Sequence, residues 1–217
     1  AVLAELRLPA QYELLEDDAR AARLVWPRLH ARIAADPALS AHFHAAVAIH
    51  GRGATRGALE AALSKRVEFE LADQAGLIDT SVAEAAALFP ELAALAEPFE
   101  LIWREGPARD GMWAAARHLG GASGKSFVAK GAELEQALGA CDAEGVTLAL
   151  LNQSGEPRKF SEKIAGLEAI REAQEHLLRL LAARRQQAAV AHQRRMAALT
   201  RALLDCFAEL KRERGWV

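Results

Sequence analysis

Apolar residues recur at intervals of three to four positions along most of the chain, which is the spacing of one face of an α-helix. The pattern predicts a first helix after Pro9, with Glu16, Asp17 and Asp18 in its first turn, where acidic side chains favour the helix dipole. The apolar face of this helix comprises Leu14, Leu15, Ala21, Leu24, Val25 and Leu29.

Capping residues, glycine and proline divide the following part into further helices. Asp36 before Pro37 is typical of an N-cap followed by proline at the first helical position, so a second helix is predicted from there to about His50. Residues 51–53 break it, and a third helix is predicted from about Thr55 to Ala75, closed by Gly76.

Shorter helices are predicted from there to residue 151. Ser81 and Glu84 have the capping-box spacing, which predicts the start of one helix. Others follow at about 90–96, 98–105, 108–119 and 127–138. Residues 142–151 form a short apolar segment that is either a helix or a buried extended run.

The last predicted element is much longer than the others. Residues 167–214 contain neither proline nor glycine, and a helix of that length would span roughly 72 Å. Its ends are amphipathic, whereas its middle, residues 184–195, is polar on nearly every face. A helix that is polar all round bridges through solvent or contacts a charged partner, so this is predicted to be an arm with Gln186, Gln187 and Gln193 largely exposed.

Composition supports an all-α fold. Apolar residues make up 52% of the 217 residues, but aromatic residues only 6%, and residues that favour strands are sparse. No apolar run approaches the roughly 18 residues that span a membrane, and no leader segment opens the chain. Cys141 and Cys206 are both expected to be buried, reduced thiols of a cytosolic protein.

Charge divides the chain into two predicted parts. Residues 1–155 hold 14 Lys and Arg against 21 Asp and Glu, a net charge of −7, and are predicted to be an acidic helical globular part. Residues 156–217 hold 13 against 8, a net charge of +5, and comprise a basic loop and the long helix. Basic helices often contact polyanions, although a solvated charged face is the commoner reason for such a stretch.

No catalytic or metal-ligating set is predicted. The stretch Gly120–Ser126 resembles a phosphate-binding loop, but Leu119 stands where that motif requires glycine and a helix precedes it, so an interhelical loop is expected. His42 and His44 are two residues apart, which points them to different helix faces. Trp103 and Trp113 are expected to anchor a core.

The basic loop at residues 156–163 is the best candidate binding element. Pro157 stiffens it, and Arg158, Lys159 and Lys163 could contact phosphates without reading base sequence. From this feature alone a solvated turn is about as plausible. The candidate DNA contacts are Arg158, Lys159, Lys163, Arg184, Arg185, Arg194 and Arg195.

Three stretches resemble a known protein family. Residues 151–159 (LNQSGEPRK) resemble the "T-K-x-G-E-P-R-K" loop of AddA and RecB-type helicase-nucleases, and residues 203–215 are similar to their "L-x-x-x-F-x-x-x-Y-x-x-x-K-x-x-x-G" helix, with Leu210 where tyrosine is usual. Residues 8–18 are similar to the "P-x-x-F-x-L-L-D-E-x-E" stretch that begins the same region. The resemblance brackets nearly the whole chain, but residues 40–145 match only in helical character.

The resemblance implies that the chain is one inserted accessory subdomain of a UvrD-like, superfamily 1 ATP-dependent DNA helicase. Such a subdomain contacts duplex DNA, carries no catalytic residues and holds no cofactor itself. The parent would bind ATP and Mg²⁺ in its remaining motor domains, often carry an exonuclease, pair with an AddB-like subunit and act in double-strand-break repair in the bacterial cytoplasm. The alternative from a different class is a free-standing helical scaffold or adaptor that binds a protein partner through its long arm.

Overall fold

A computed structural model describes residues 18–216 of the chain, and the side chains of residues 20–216. Helices account for the regular secondary structure of that part, and no β-strand occurs in it, which confirms the predicted all-α class. The helices are α1 (Asp18–Ala35), α2 (Pro37–Ser64), α3 (Arg66–Gln74), α4 (Leu77–Thr80), α5 (Ala85–Leu88), a 3₁₀ turn (Pro90–Leu92), α6 (Glu100–Trp103), α7 (Pro107–Gly120), α8 (Lys125–Gly139), α9 (Ala143–Leu150) and α10 (Leu167–Arg214). The predicted beginning of the first helix, at Pro9 to Asp17, lies outside the described residues.

The junction between α1 and α2 forms as predicted. One carboxylate oxygen of Asp36 accepts hydrogen bonds from the backbone N–H groups of Ala38 (2.8 Å) and Leu39 (3.1 Å), with Pro37 at the first helical position. This bonding satisfies amides that the helix itself leaves without partners. The sequence left two alternatives for residues 142–151, a helix or a buried extended run, and the structure shows that they contain helix α9.

The capping box predicted at Ser81 is wrong. The Ser81 hydroxyl donates to the carbonyl of Ile78 at 2.8 Å, so the side chain belongs to the end of α4. Helix α5 begins four residues later, with Glu84 at its N-cap position and no side-chain hydrogen bond to the cap. A serine hydroxyl can bond either a preceding carbonyl or a following amide, and the spacing alone does not decide between them.

The described residues divide into two compact units. Unit 1 comprises residues up to Val82 together with residues from Ala189 onward, and unit 2 comprises Ala83–Ala188. The boundary that the charge pattern placed at residue 155 lies inside unit 2. Helix α10 contributes its residues 167–188 to unit 2 and its residues 189–214 to unit 1.

Unit 2 is built around the apolar faces of α7, α8, α9 and the first part of α10. Its largest fully buried side chains include Phe99, Ile102, Met112, Leu119, Leu134, Leu150, Ile170 and Leu177. Trp103 and Trp113 lie partly buried against this core. Gly131 sets the close approach of α8 to α7, because a Cβ there would lie 2.4 Å from the backbone nitrogen of Gly120.

Unit 1 packs α1 and α2 with the last part of α10. Its core comprises Ala21, Val25, Leu29, Leu59, Leu199, Leu203, Phe207 and Leu210, among others. The guanidinium of Arg201 holds α3 and α4 to α10, since it donates to the carboxylates of Asp73 (2.9 Å) and Asp79 (2.8 Å). Leu210, which stands where the similar helix has tyrosine, is buried.

The exposure predicted for three glutamines in the middle of α10 is wrong. Gln186, Gln187 and Gln193 are only partly exposed, and each side-chain amide donates to a backbone carbonyl. The acceptors are Ala83 and Ala96 within unit 2 and Ile78 within unit 1. These carbonyls lie in turns and short helices, and the carbonyl of Ile78 also accepts from the Ser81 hydroxyl. A polar face of α10 therefore packs here through hydrogen bonds donated by glutamine side-chain amides.

The two cysteines differ in environment. Cys206 is buried, as predicted, but Cys141 is exposed, because it lies in the turn between α8 and α9 and has a positive φ of 52°. Both thiols are free. Within residues 18–216, every helix is too short or too polar to cross a membrane.

Candidate nucleic-acid interface

The loop between α9 and α10 has a defined backbone conformation. Residues Leu151 and Pro157 form an isolated antiparallel bridge, and the backbone N–H of Asn152 donates to the carbonyl of Glu156 at 2.8 Å. The side-chain oxygen of Asn152 accepts from the backbone N–H groups of Ser154 (2.9 Å) and Glu156 (3.0 Å). Gly155 supplies the positive φ of 77° that closes the turn.

Arg158 has a structural role within this loop. Its Nε and Nη2 both donate to the carbonyl of Leu148, at 3.1 and 3.0 Å, and its backbone N–H donates to the carbonyl of Leu150. These carbonyls belong to the last turn of α9, where no following helical turn supplies backbone N–H groups to donate to them. The guanidinium is partly buried, but its other N–H groups are not used by these bonds.

Gln174 ties the loop to α10 and was not predicted. Its side chain is 4% exposed, and its amide donates to the carbonyls of Leu150 (2.8 Å) and Arg158 (3.0 Å). The sequence did contain a signal, because this glutamine lies on the apolar face that Ile170 and Leu177 define. A polar residue on a buried helix face requires partners, and here they are loop carbonyls.

Lys159 and Lys163 are the exposed cations of the loop. Neither amine has an acidic partner among the described residues. Glu156 and Glu162 are exposed nearby in sequence, so the segment carries both signs of charge. Two unpaired ammonium groups held on an ordered loop can contact phosphate oxygens without losing an ion pair.

Arg184 and Arg185 are also residues of unit 2. Arg184 pairs with Glu97 at 3.4 Å, and its guanidinium lies 5.7 Å from the ring centre of Phe99. It therefore stabilises the packing of α10 on the segment before α6. Arg185 is exposed and has no ion pair among the described residues. Its positive charge is therefore free to contact an anionic partner.

Arg194 and Arg195 belong to unit 1. Arg194 is exposed and Arg195 is partly buried. Burial lowers the pKa of His192, with smaller contributions in the same direction from His50 and from the positive charge of Arg195. Nδ1 of His192 and Nε2 of His50 are joined by a hydrogen bond of 3.1 Å.

The stretch Gly120–Ser126 connects two helices. Helix α7 ends at Gly120 and α8 begins at Lys125, so a helix precedes the glycines where a phosphate-binding loop requires a strand. His42 is partly exposed, and His44 is hydrogen-bonded to the Ser40 hydroxyl at 3.3 Å. Within residues 18–216, no three histidine, cysteine or carboxylate side chains are grouped as metal ligands.

Comparison of the chain with protein-family models, with curated proteins and with solved structures finds no match.

Proposed function

We propose that the chain is an accessory subdomain that contacts the phosphates of duplex DNA through the α9–α10 loop. One observation carries the proposal: Lys159 and Lys163 are exposed without acidic partners on a loop whose conformation is held by Asn152, Arg158 and Gln174. An ordered loop loses little conformational freedom when it binds, which favours a weak electrostatic contact. Such a contact positions DNA and does not select a base sequence.

We further propose that the parent protein is an AddA or RecB-like helicase, with exonuclease activity and a role in bacterial double-strand-break repair. The support is the resemblance of residues 151–159 and 203–215 to that family, together with the all-α fold. ATP and Mg²⁺ would be bound by the motor domains of that parent. A second, AddB-like subunit and a cytoplasmic location follow from the same proposal.

Binding of a fluorescently labelled 20-base-pair duplex, measured by anisotropy at low salt, tests the DNA contact. We expect micromolar or weaker affinity, equal for unrelated sequences. The double change Lys159→Glu/Lys163→Glu should weaken binding at least tenfold for every sequence, because it replaces two attractive charges by two repulsive ones.

Lys125→Glu is the matched control, since Lys125 is also an exposed lysine of unit 2 without an ion pair among the described residues. It should leave affinity nearly unchanged. Arg158 is left intact, because its loss would also disrupt the end of α9. Undetectable binding of the unaltered chain, or equal weakening by the control, contradicts the proposal.

An adaptor that binds a protein is favoured by a different observation. Val67 and Leu71 of α3 and Leu77 of α4 are 58%, 63% and 60% exposed, which is unusual for three large apolar side chains close in sequence. This alternative predicts that the chain does not bind duplex DNA in the same anisotropy experiment.

A further inference from the structure

A cleft lined by aromatic and cationic side chains lies in unit 1, and none of the residues predicted to bind DNA lines it. Trp26 and His30 of α1, Phe43 of α2, and Arg52 and Arg56 beyond the kink in α2 enclose about 310 Å³. This volume is near the lower end of the range for small-molecule sites, roughly 300–1,000 Å³. The cleft therefore has room for a ligand about the size of one nucleotide.

The rings of the cleft present both faces and edges. The centres of Trp26 and His30 are 6.2 Å apart with their planes tilted by 34°. Phe43 meets His30 edge-on, with centres 5.9 Å apart and an interplanar angle of 81°. Trp26 is largely buried, whereas His30 is exposed and Phe43 partly exposed. A planar ligand that stacks on one of the two exposed rings meets the other edge-on, while Trp26 forms the floor.

The two arginines of the cleft differ in how they are held. The guanidinium of Arg56 lies 5.1 Å from the ring centre of Trp26 and donates to Glu60 at 2.8 Å. Arg52 is exposed and has no acidic partner among the described residues. The cleft thus contains one cation whose charge is balanced and one whose charge is not. An uncompensated guanidinium beside aromatic rings favours a ligand that is both planar and anionic.

The kink at Gly51 determines the position of Arg52 and Arg56 in the cleft. Gly51 has φ 81° and ψ 158°, so the helix turns between Phe43 and Arg52, and the Arg52 and Arg56 side chains line the same cleft as the rings. This backbone conformation is accessible almost only to glycine. The cleft is consequently a product of the break in α2.

We propose that this cleft binds a nucleoside monophosphate unit, with the base stacked on one of His30 and Phe43 and edge-on to the other, and the phosphate on Arg52. The ligand is either a free nucleotide or an unpaired nucleotide of a DNA strand, which share this chemistry. Stacking of a base on an aromatic side chain contributes about 1–3 kcal/mol, and arginine is well suited to phosphate. The site goes beyond the proposed duplex contact, because none of its residues belongs to the α9–α10 loop.

Isothermal titration calorimetry with two probes, dTMP and single-stranded (dT)₁₀, tests the cleft in the whole chain. Arg52→Ala and His30→Ala change exposed side chains, so both variants should keep the fold, as circular dichroism will verify. We expect each to weaken binding by about tenfold, which is the size of one stacking or charged contact. Arg23→Ala, an exposed arginine of α1 outside the cleft, is the matched control and should bind as the unaltered chain does.

The two probes identify the source of the nucleotide. Binding of dTMP indicates a site for free nucleotides, and binding of (dT)₁₀ alone indicates a site for an unpaired strand. No binding of either probe, or binding that Arg52→Ala and His30→Ala leave unchanged, overturns the proposal. The Lys159→Glu/Lys163→Glu variant leaves the cleft intact, and the Arg52→Ala and His30→Ala variants leave the α9–α10 loop intact. Loss of the nucleotide-binding proposal can therefore be distinguished from loss of the duplex-binding proposal.

Discussion

At the scale of single residues, His176 shows how burial on α10 changes the chemistry of a side chain. Its Nε2 is buried and has no hydrogen-bond partner among the described residues. Burial lowers the pKa of His176, the nearby charge of Arg179 lowers it further, and Glu91 opposes both. The imidazole is therefore held neutral, and protonation works against the folded state.

This predicts that acid weakens the fold in a defined pH range. Because the folded pKa lies below the ordinary value of 6.5, the stabilisation is complete above pH 6.5 and is lost as the pH falls toward the folded pKa. His192 has a lowered pKa for a similar reason, burial, with His50 and Arg195 adding to it. The free energy of unfolding, measured with urea between pH 7.5 and pH 5, should decrease with acid.

The double variant His176→Gln/His192→Gln should show a flatter dependence over the same range. His44→Gln is the control, since His44 is exposed. Staying above pH 5 keeps Asp73 and Glu91 ionised, because arginine partners hold the pKa of both carboxyls below their ordinary values. An equal slope in the double variant and the unaltered chain contradicts the assignment.

Polar residues on α10 show what the sequence pattern could not reveal. Hydrophobic periodicity counts apolar side chains as inward, so it predicted the buried ends of α10 correctly and the exposure of three glutamines in its middle incorrectly. Gln186 and Gln193 are turned inward by bonds to the carbonyls of Ala83 and Ile78. Which carbonyls lie within reach of α10 depends on where distant turns fall, and that information is not local in sequence.

At the scale of elements, the two glycines near the middle of α2 have different roles. The sequence predicted a break at residues 51–53, and the structure confines it to Gly51, after which the helix resumes. Gly53 is helical and a Cβ there would meet nothing within 4 Å. Glycine composition indicates a break, but only the backbone conformation shows which glycine is required.

Alanine substitutions at these two positions should have opposite effects. Gly51→Ala forces an alanine into a left-handed region with φ 81°, and should lower the free energy of unfolding by about 1–3 kcal/mol. Gly53→Ala is the matched control and should raise it by about 0.5–1 kcal/mol, because alanine restricts the unfolded chain and favours helix. Urea unfolding of both variants measures this, and equal effects would show that the kink is not strained.

At the scale of the whole molecule, charge and packing divide the chain differently. Residue 155 separates acidic from basic composition, whereas packing separates unit 2, Ala83–Ala188, from the rest. Net charge describes mostly surface side chains, while packing follows the apolar faces that meet. The length of α10 was predictable from proline and glycine positions, whereas the division of residues 55–75 between α2 and α3 was not. The bonds that order the α9–α10 loop, which involve Gln174, were not.

We expect the chain alone not to hydrolyse ATP. The Gly120–Ser126 stretch joins α7 to α8, so its amides are not arranged after a buried strand as a phosphate-binding loop requires. Phosphate release with and without DNA measures this directly. DNA-stimulated turnover that disappears in Lys125→Ala would show that this stretch does bind nucleotide phosphates and that the accessory-subdomain proposal is wrong.

The salt dependence of duplex binding tests the central claim most directly. Each phosphate contact contributes about −0.9 to the slope of log affinity against log salt concentration. Replacing Lys159 and Lys163 by alanine should therefore make the slope shallower by about 1.8, whereas Lys125→Ala should leave it unchanged. Identical slopes for the unaltered chain and the Lys159→Ala/Lys163→Ala variant would contradict a DNA contact at this loop.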